Sequence, residues 1–329
     1  MNKNPIIRTS LFFTLSIVIA ELLHLNQVVI CVFIGPAIIS GHKFSFRVSI
    51  TSIIRFFLFL FTGLLVGELF YDNQFLGLIL SCAFFWCILS MIKVPSKIAL
   101  LGAPIFLYCY GFINVSNGVR IESTLMVLVS ASAFMLPLAW ICFQAFPSLE
   151  QISSSSTKKP QLNQENISTL HKFGIVVAMG VSLMAFLMAD IRGAIFCLSV
   201  VINAALRSSV KQGTIVVRSI IPVQVTGCLI ALLLDVLLLG HTNNLGLFFV
   251  LLFFTTTTIL HYSYNKELRH RDIPNFEMSF LNAILIPLTL YTSPSGYNIE
   301  PFVRRMVDMG VIWGILSVLV IIISLRKRH

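Results

Sequence analysis

Runs of apolar residues long enough to cross a bilayer recur along this chain, and no other feature constrains its fold as much. About 20 apolar helical residues cross roughly 30 Å of hydrocarbon, with about 17–25 tolerated. Twelve segments reach or approach that length: 8–25, 27–41, 48–70, 75–92, 98–115, 123–146, 172–190, 193–206, 213–239, 244–262, 276–292 and 305–325. Lipid offers the backbone no hydrogen bonds, so each segment is expected as a helix, whose bonds close within itself. The expected fold class is all-α, a polytopic membrane protein of about 12 transmembrane helices. Only 11% of the 329 residues are charged, against about 25% in soluble domains, which excludes a water-soluble enzyme and a disordered chain alike. The lipid bilayer is therefore the first expected partner.

One stretch, 147–171, is plainly hydrophilic; it contains SSSSTKKPQLNQEN and divides the spans six and six. Ser, Lys, Gln and Asn around Pro160 read as a solvated cytoplasmic linker. Residues 1–146 and 172–329 are then two six-helix units. With the N-terminus in the cytoplasm, 17 of the 23 Lys and Arg fall in cytoplasmic segments. Arg120, Arg192, Arg304 and Arg305 fall outside, and Arg55 and Arg218 lie within spans. This asymmetry predicts an N-in, C-in orientation. It also accounts for the net charge of +10 without nucleic acid, since no basic face interleaved with aromatics occurs. Lys3 and Arg8 precede the first span as in a signal peptide, but eleven spans follow, so it reads as a retained helix. The seven cysteines lie in apolar runs with no CxxC pair and no His at ligand spacing, so they read as core residues and no metal is expected. No Walker motif or GxGxxG occurs, and no cofactor is expected.

The two halves share a pattern. The third span reads RFFLFLFTGLLVGEL from Arg55, and the ninth reads RSIIPVQVTGCLIALLLD from Arg218. Each places a Thr-Gly pair seven or eight residues after the Arg and a small residue four further on. These are Thr62, Gly63 and Gly67 in one half, and Thr226, Gly227 and Ala231 in the other. Small residues at that spacing let helix backbones approach closely. SNGVRIE before the sixth span and PSGYNIE before the twelfth repeat a Gly followed by Ile-Glu at one offset. An even number of spans per half gives both halves the same orientation, which predicts a parallel repeat about an axis along the membrane normal. The second and eighth spans, 27–41 and 193–206, are short, and the second is interrupted by Gly35-Pro36. Short or broken segments at matching places point to a substrate site, here including Gly35, Pro36 and Asn203. A re-entrant segment or a thin edge of the bundle accounts for them equally.

Arg55 and Arg218 match in depth and type. A guanidinium facing the interior could hold a carboxylate through two parallel hydrogen bonds. Alternatively both snorkel to the cytoplasmic headgroups, since each lies about two turns beyond Arg47 or Lys211. Glu68, which ends the Thr-Gly helix, and Glu21 are the candidate proton-coupling carboxylates. Glu68, Asp190 and Asp235 fall at outer span ends, where water reaches them. Glu21 and His24, one turn apart, would suit an intramembrane acyltransferase. The Thr255–Thr258 run, Asn203 and Asn282 could line a polar path, although Thr hydroxyls also bond back to their own helix.

The six-span half with Arg, Thr-Gly and a further small residue on its third span resembles the fusaric-acid-resistance and aromatic-acid-exporter family of bacterial inner membranes. The resemblance is best around Arg55–Gly67 and Arg218–Ala231, and the chain looks like a compact branch of that superfamily. Typical members carry a large cytoplasmic domain after each half, where this chain has only the 147–171 linker and an RKRH tail. The resemblance implies secondary efflux of small aromatic or organic acids, with a periplasmic membrane-fusion adaptor as partner. The proton gradient is the expected driving force, with the site between the halves near spans two, three, eight and nine. A homo-oligomer is compatible with this reading. A non-transporting membrane scaffold, a channel and the acyltransferase are the alternatives.

Overall fold

The computed structural model describes residues 4–25, 27–39, 41, 43–92, 101–147, 169–188, 210–238, 244–264, 276–291 and 300–307, with positions 198, 199, 202, 206 and 310. Among them every regular element is helical and no strand occurs. In chain order these are α1 (Asn4–Leu22), α2 (Val29–Ile39), α3 (Phe46–Leu69), α4 (Gln74–Met91) and α5 (Gly102–Ser116), then α6 (Ile121–Ala145), α7 (Thr169–Met188), α8 (Val210–Leu237), α9 (Leu245–Tyr264) and α10 (Phe276–Tyr291). Residues 300–307 are also helical. Four whole helices (α1, α3, α4 and α6) and Leu245–Tyr262 of α9 are long and apolar enough to cross a membrane. The chain is thus all-helical with several bilayer-length helices, as hydropathy predicts. The eighth span lies almost wholly outside the described residues, as does most of the linker and of the twelfth span.

Local chemistry sets the helix ends. Asn73 caps α4, its side chain accepting from the Leu76 amide at 3.2 Å, and Asn244 does the same for Leu247 of α9 at 3.1 Å. α1 closes on His24 with φ 51°, and the Leu25 amide reaches back to the Ala20 carbonyl at 3.0 Å. α5 closes on Gly118 with φ +78°, where the Val119 amide donates to the Asn114 carbonyl at 2.9 Å. Only glycine adopts that backbone freely, which gives the Gly of SNGVRIE its local reason. Prolines sit inside α2, α6, α8 and α10 (Pro36, Pro137, Pro222 and Pro287), as membrane helices tolerate. α2 has 11 residues, a rise of about 16 Å, roughly half the hydrocarbon thickness.

The helices form two compact units. One holds α1, α2, the first turns of α3, α6, α8 from Arg218, α9, α10 and residues 300–307. Within it α1 packs on α2 and α9, α9 on α10, and α10 on α2, closing a ring of four helices. The other unit holds the rest of α3, α4, α5, α7 and the start of α8. Its centre is Tyr108 of α5, fully buried, stacked on Phe84 at 4.8 Å and met edge-on by Phe85 at 5.2 Å. The Tyr108 hydroxyl pairs with Ser81 Oγ at 2.8 Å, which leaves no polar tip unsatisfied there. Large apolar side chains such as Leu58, Met91 and Phe254 face outward, as lipid contact requires.

Candidate functional site

The Thr-Gly glycines are close-packing points. A Cβ on Gly63 would run into the Tyr108 carbonyl of α5, and one on Gly67 would stand 3.1 Å from the Phe112 carbonyl. Gly111 of α5 returns the contact, its added Cβ falling 2.8 Å from the Leu60 carbonyl. In the other unit a Cβ on Gly227 would stand 2.5 Å from Ala283 Cβ and 2.6 Å from its carbonyl carbon. The threonines do something different. Thr62 donates to the Leu58 carbonyl at 2.7 Å and Thr226 to the Pro222 carbonyl at 2.9 Å, each within its own helix. Gly35 is buried, and a Cβ there would meet the Phe13 ring, so it packs α2 on α1; Pro36 is half-buried beside it.

Arg55 and Glu68 are exposed on α3, and Glu21 and His24 are exposed at the end of α1. Arg218 lies on α8, in the unit that does not contain Arg55. Asn203 and Asp190 lie outside the described residues. Asp235, expected at a wet helix end, is instead 7% exposed, the one buried carboxylate among the described residues. Burial also takes in two arginines read from the sequence as flanking charges: Arg8 at 4% exposed and Arg305 at 1%.

Polar residues are buried on three helices of the four-helix ring, α1, α9 and α10. Thr14 of α1 and Thr256 of α9, both buried, face each other with their hydroxyls 3.5 Å apart. Ser10 Oγ and Ser16 Oγ of α1, Thr257 Oγ1 of α9 and Asn282 Oδ1 of α10 are buried and meet no hydrogen-bond partner among the described residues. Each such atom costs about 1–3 kcal/mol unless water or a solute reaches it. Thr257 and Asn282 are among the residues the sequence singles out for a polar path, while Thr256 and Thr258 donate to carbonyls of their own helix. Ser10, Thr14 and Ser16 were missed, although TSLFFTLS carries hydroxyls in an otherwise apolar helix and could have shown them.

Where α1 begins and α6 ends, a cavity of about 730 Å³ opens among Lys43, Phe44, Phe46, Trp140 and Phe143. Beneath it the Arg8 guanidinium lies over the Phe143 ring, 3.9 Å from its centroid, and donates from Nη2 to the Gly41 carbonyl at 3.1 Å. Phe44 tilts against Phe143 at 5.7 Å and meets Phe46 edge-on at 6.3 Å. Asn4 donates to the Pro147 carbonyl at 3.0 Å, tying the start of α1 to the end of α6. Among the described residues no group of three His, Cys, Asp or Glu side chains could hold a metal ion. Compared with protein families, with curated proteins and with solved structures, the chain finds no match.

Proposed function

We propose that the protein is a secondary transporter component that exports small aromatic or other organic acids across a bacterial inner membrane. It is driven by protons and acts with a periplasmic membrane-fusion adaptor. The observation that carries this reading is the set of buried polar atoms on α1, α9 and α10 (Ser10 Oγ, Ser16 Oγ, Thr257 Oγ1 and Asn282 Oδ1) that meet no hydrogen-bond partner among the described residues. Polar groups are costly within a membrane bundle, and where they line its interior they mark a path for water or a polar solute. Asp235 takes over from Glu68 and Glu21 as the proton-coupling carboxylate, because it alone of the described carboxylates is withdrawn from water. Arg55, exposed on its helix, suits an anchoring role at the headgroups better than anion binding.

The twelve-span, twice-repeated architecture with both termini in the cytoplasm belongs to the same proposal, and the packing supports it. Gly63 of the third span seats on the fifth, and Gly227 of the ninth seats on the eleventh. α1 packs on α9, the first span on the tenth; α7 packs on α4, the seventh on the fourth. A shift of six spans converts each contact into its counterpart.

The test is accumulation of labelled aromatic and aliphatic acids in cells carrying the chain and an adaptor. Asn282→Leu should lower export while leaving the amount of folded protein unchanged or higher, since it removes an unsatisfied buried amide oxygen. Export indistinguishable from cells lacking the chain, across the whole panel of acids, would overturn the proposal.

A further inference from the structure

The cavity at the start of α1 and the end of α6 is lined by none of the buried polar residues of α1, α9 and α10, and its own lining specifies a ligand. We infer that it holds an anionic phospholipid of the cytoplasmic leaflet, with the phosphate at Lys43 and an acyl chain along Phe44, Phe46 and Trp140. Three observations carry this. The volume, about 730 Å³, lies within the range of roughly 300–1,000 Å³ that encloses a small amphiphile. The mouth is apolar on its outer rim, Phe46 being 59% exposed and Trp140 53%, which for a membrane protein means a portal facing lipid. The lining carries one cation, Lys43, and its Phe143 ring is stacked on the Arg8 guanidinium, which also donates to the Gly41 carbonyl.

The position agrees with the chemistry. This end of the bundle carries Arg8, Lys43 and Arg47, so charge asymmetry assigns it to the cytoplasmic leaflet, where anionic headgroups gather. Pockets of this kind between membrane helices bind such headgroups through Lys and Arg. Arg8, 4% exposed and held by the Phe143 ring and the Gly41 carbonyl, adds a fixed positive charge behind the cavity wall and not a contact to the lipid. The inference rests on the proposed orientation of the chain but not on transport, since the lining of the cavity is argued without the polar residues of α1, α9 and α10.

Trp140 provides the readout. The chain has three tryptophans, so W86F with W313F leaves Trp140 as the sole fluorophore. This variant is reconstituted in phosphatidylcholine vesicles containing a fixed minor fraction of brominated lipid, whose bromines quench on contact. Brominated phosphatidylglycerol should quench Trp140 several-fold more than brominated phosphatidylcholine at equal mole fraction. Lys43→Gln should reduce that preference about fivefold, the equivalent of one headgroup charge contact. Equal quenching by both lipids would reduce the site to ordinary lipid contact and overturn the inference. So would a preference that survives Lys43→Gln, or displacement of the lipid by free benzoate, which would make the occupant a soluble acid. If the double Phe variant does not fold, native mass spectrometry of the unaltered chain decides instead. Retained phosphatidylglycerol that Lys43→Gln strips away supports the site, and equal retention in both proteins refutes it.

Discussion

The seam between α3 and α5 has least tolerance for added volume, and Gly63→Ala tests it. A methyl on Gly63 would collide with the Tyr108 carbonyl oxygen and stand 2.8 Å from its carbon and 3.0 Å from its Cα. These are backbone atoms, so no side-chain rotation relieves the clash and the helices must part by about 1 Å. A gap of 0.5–1 Å forfeits a quarter to a half of each atom pair's ~0.1–0.2 kcal/mol, and roughly thirty pairs along such a seam lose about 1–3 kcal/mol. That agrees with the usual cost of overpacking, also about 1–3 kcal/mol. At about 2.1 cal/mol/K of unfolding entropy per residue, the melting temperature of a 329-residue chain should fall by about 1.5–4 °C. Gly174→Ala is the control: it is exposed on α7 with nothing within 4 Å of an added Cβ, so it should be neutral or raise stability by up to about 1 kcal/mol. The assay is thermal melting of both purified variants in one detergent. A Gly63→Ala protein that melts with its parent, or a Gly174→Ala protein that loses as much, would refute the close-packing account.

Thr62→Val and Thr226→Val, singly or together, should melt within about 1 °C of the parent, because each hydroxyl only bonds back to its own helix and Val fills the same volume. Asp235→Asn should abolish uphill, proton-driven export yet retain exchange of labelled for unlabelled acid down a gradient, read as counterflow in vesicles; loss of both would deny it a coupling role. Reporters fused after Lys159 and after Arg328 should signal cytoplasm and one after Asn117 periplasm, and a periplasmic signal from the linker would break the twelve-span order.

Hydropathy made the helices legible because a bilayer accepts only backbones that satisfy themselves. The close-packed glycines were legible too, since Gly63 with Gly67, and Gly227 with Ala231, put small residues one turn apart on a single face. The partners of those faces were not. These helices are apolar nearly all round, so the contrast between faces that would reveal orientation is missing. Arg8 shows the consequence. As the first residue of an apolar run it reads as a flanking charge, yet Phe143 and the Gly41 carbonyl, both distant in sequence, bury it. Asp235 escaped for the same reason: a helix end is wet or dry according to its neighbours, and hydropathy does not name neighbours.

The neighbours reveal how the halves are joined. α1 belongs to the first sequence half and α9 to the second, yet they pack together, with Thr14 against Thr256. α4 and α7 make the reciprocal pairing, and a Cβ added to Gly180 of α7 would stand 2.6 Å from Cys82 Sγ of α4. Each compact unit therefore draws helices from both sides of the linker. In such an arrangement neither half carries the partners its own helices need, so residues 1–159 expressed alone should leave the α1 face that meets α9 uncovered. That fragment should be unstable in detergent, and co-expression with residues 160–329 should restore a complex that co-purifies and melts near the intact chain. The linker then raises the effective concentration of one half for the other, and cutting it should weaken their association. A first-half fragment that purifies alone as a stable monomer, with no gain on adding the second half, would show that the halves fold independently and that this pairing of α1 with α9 is wrong.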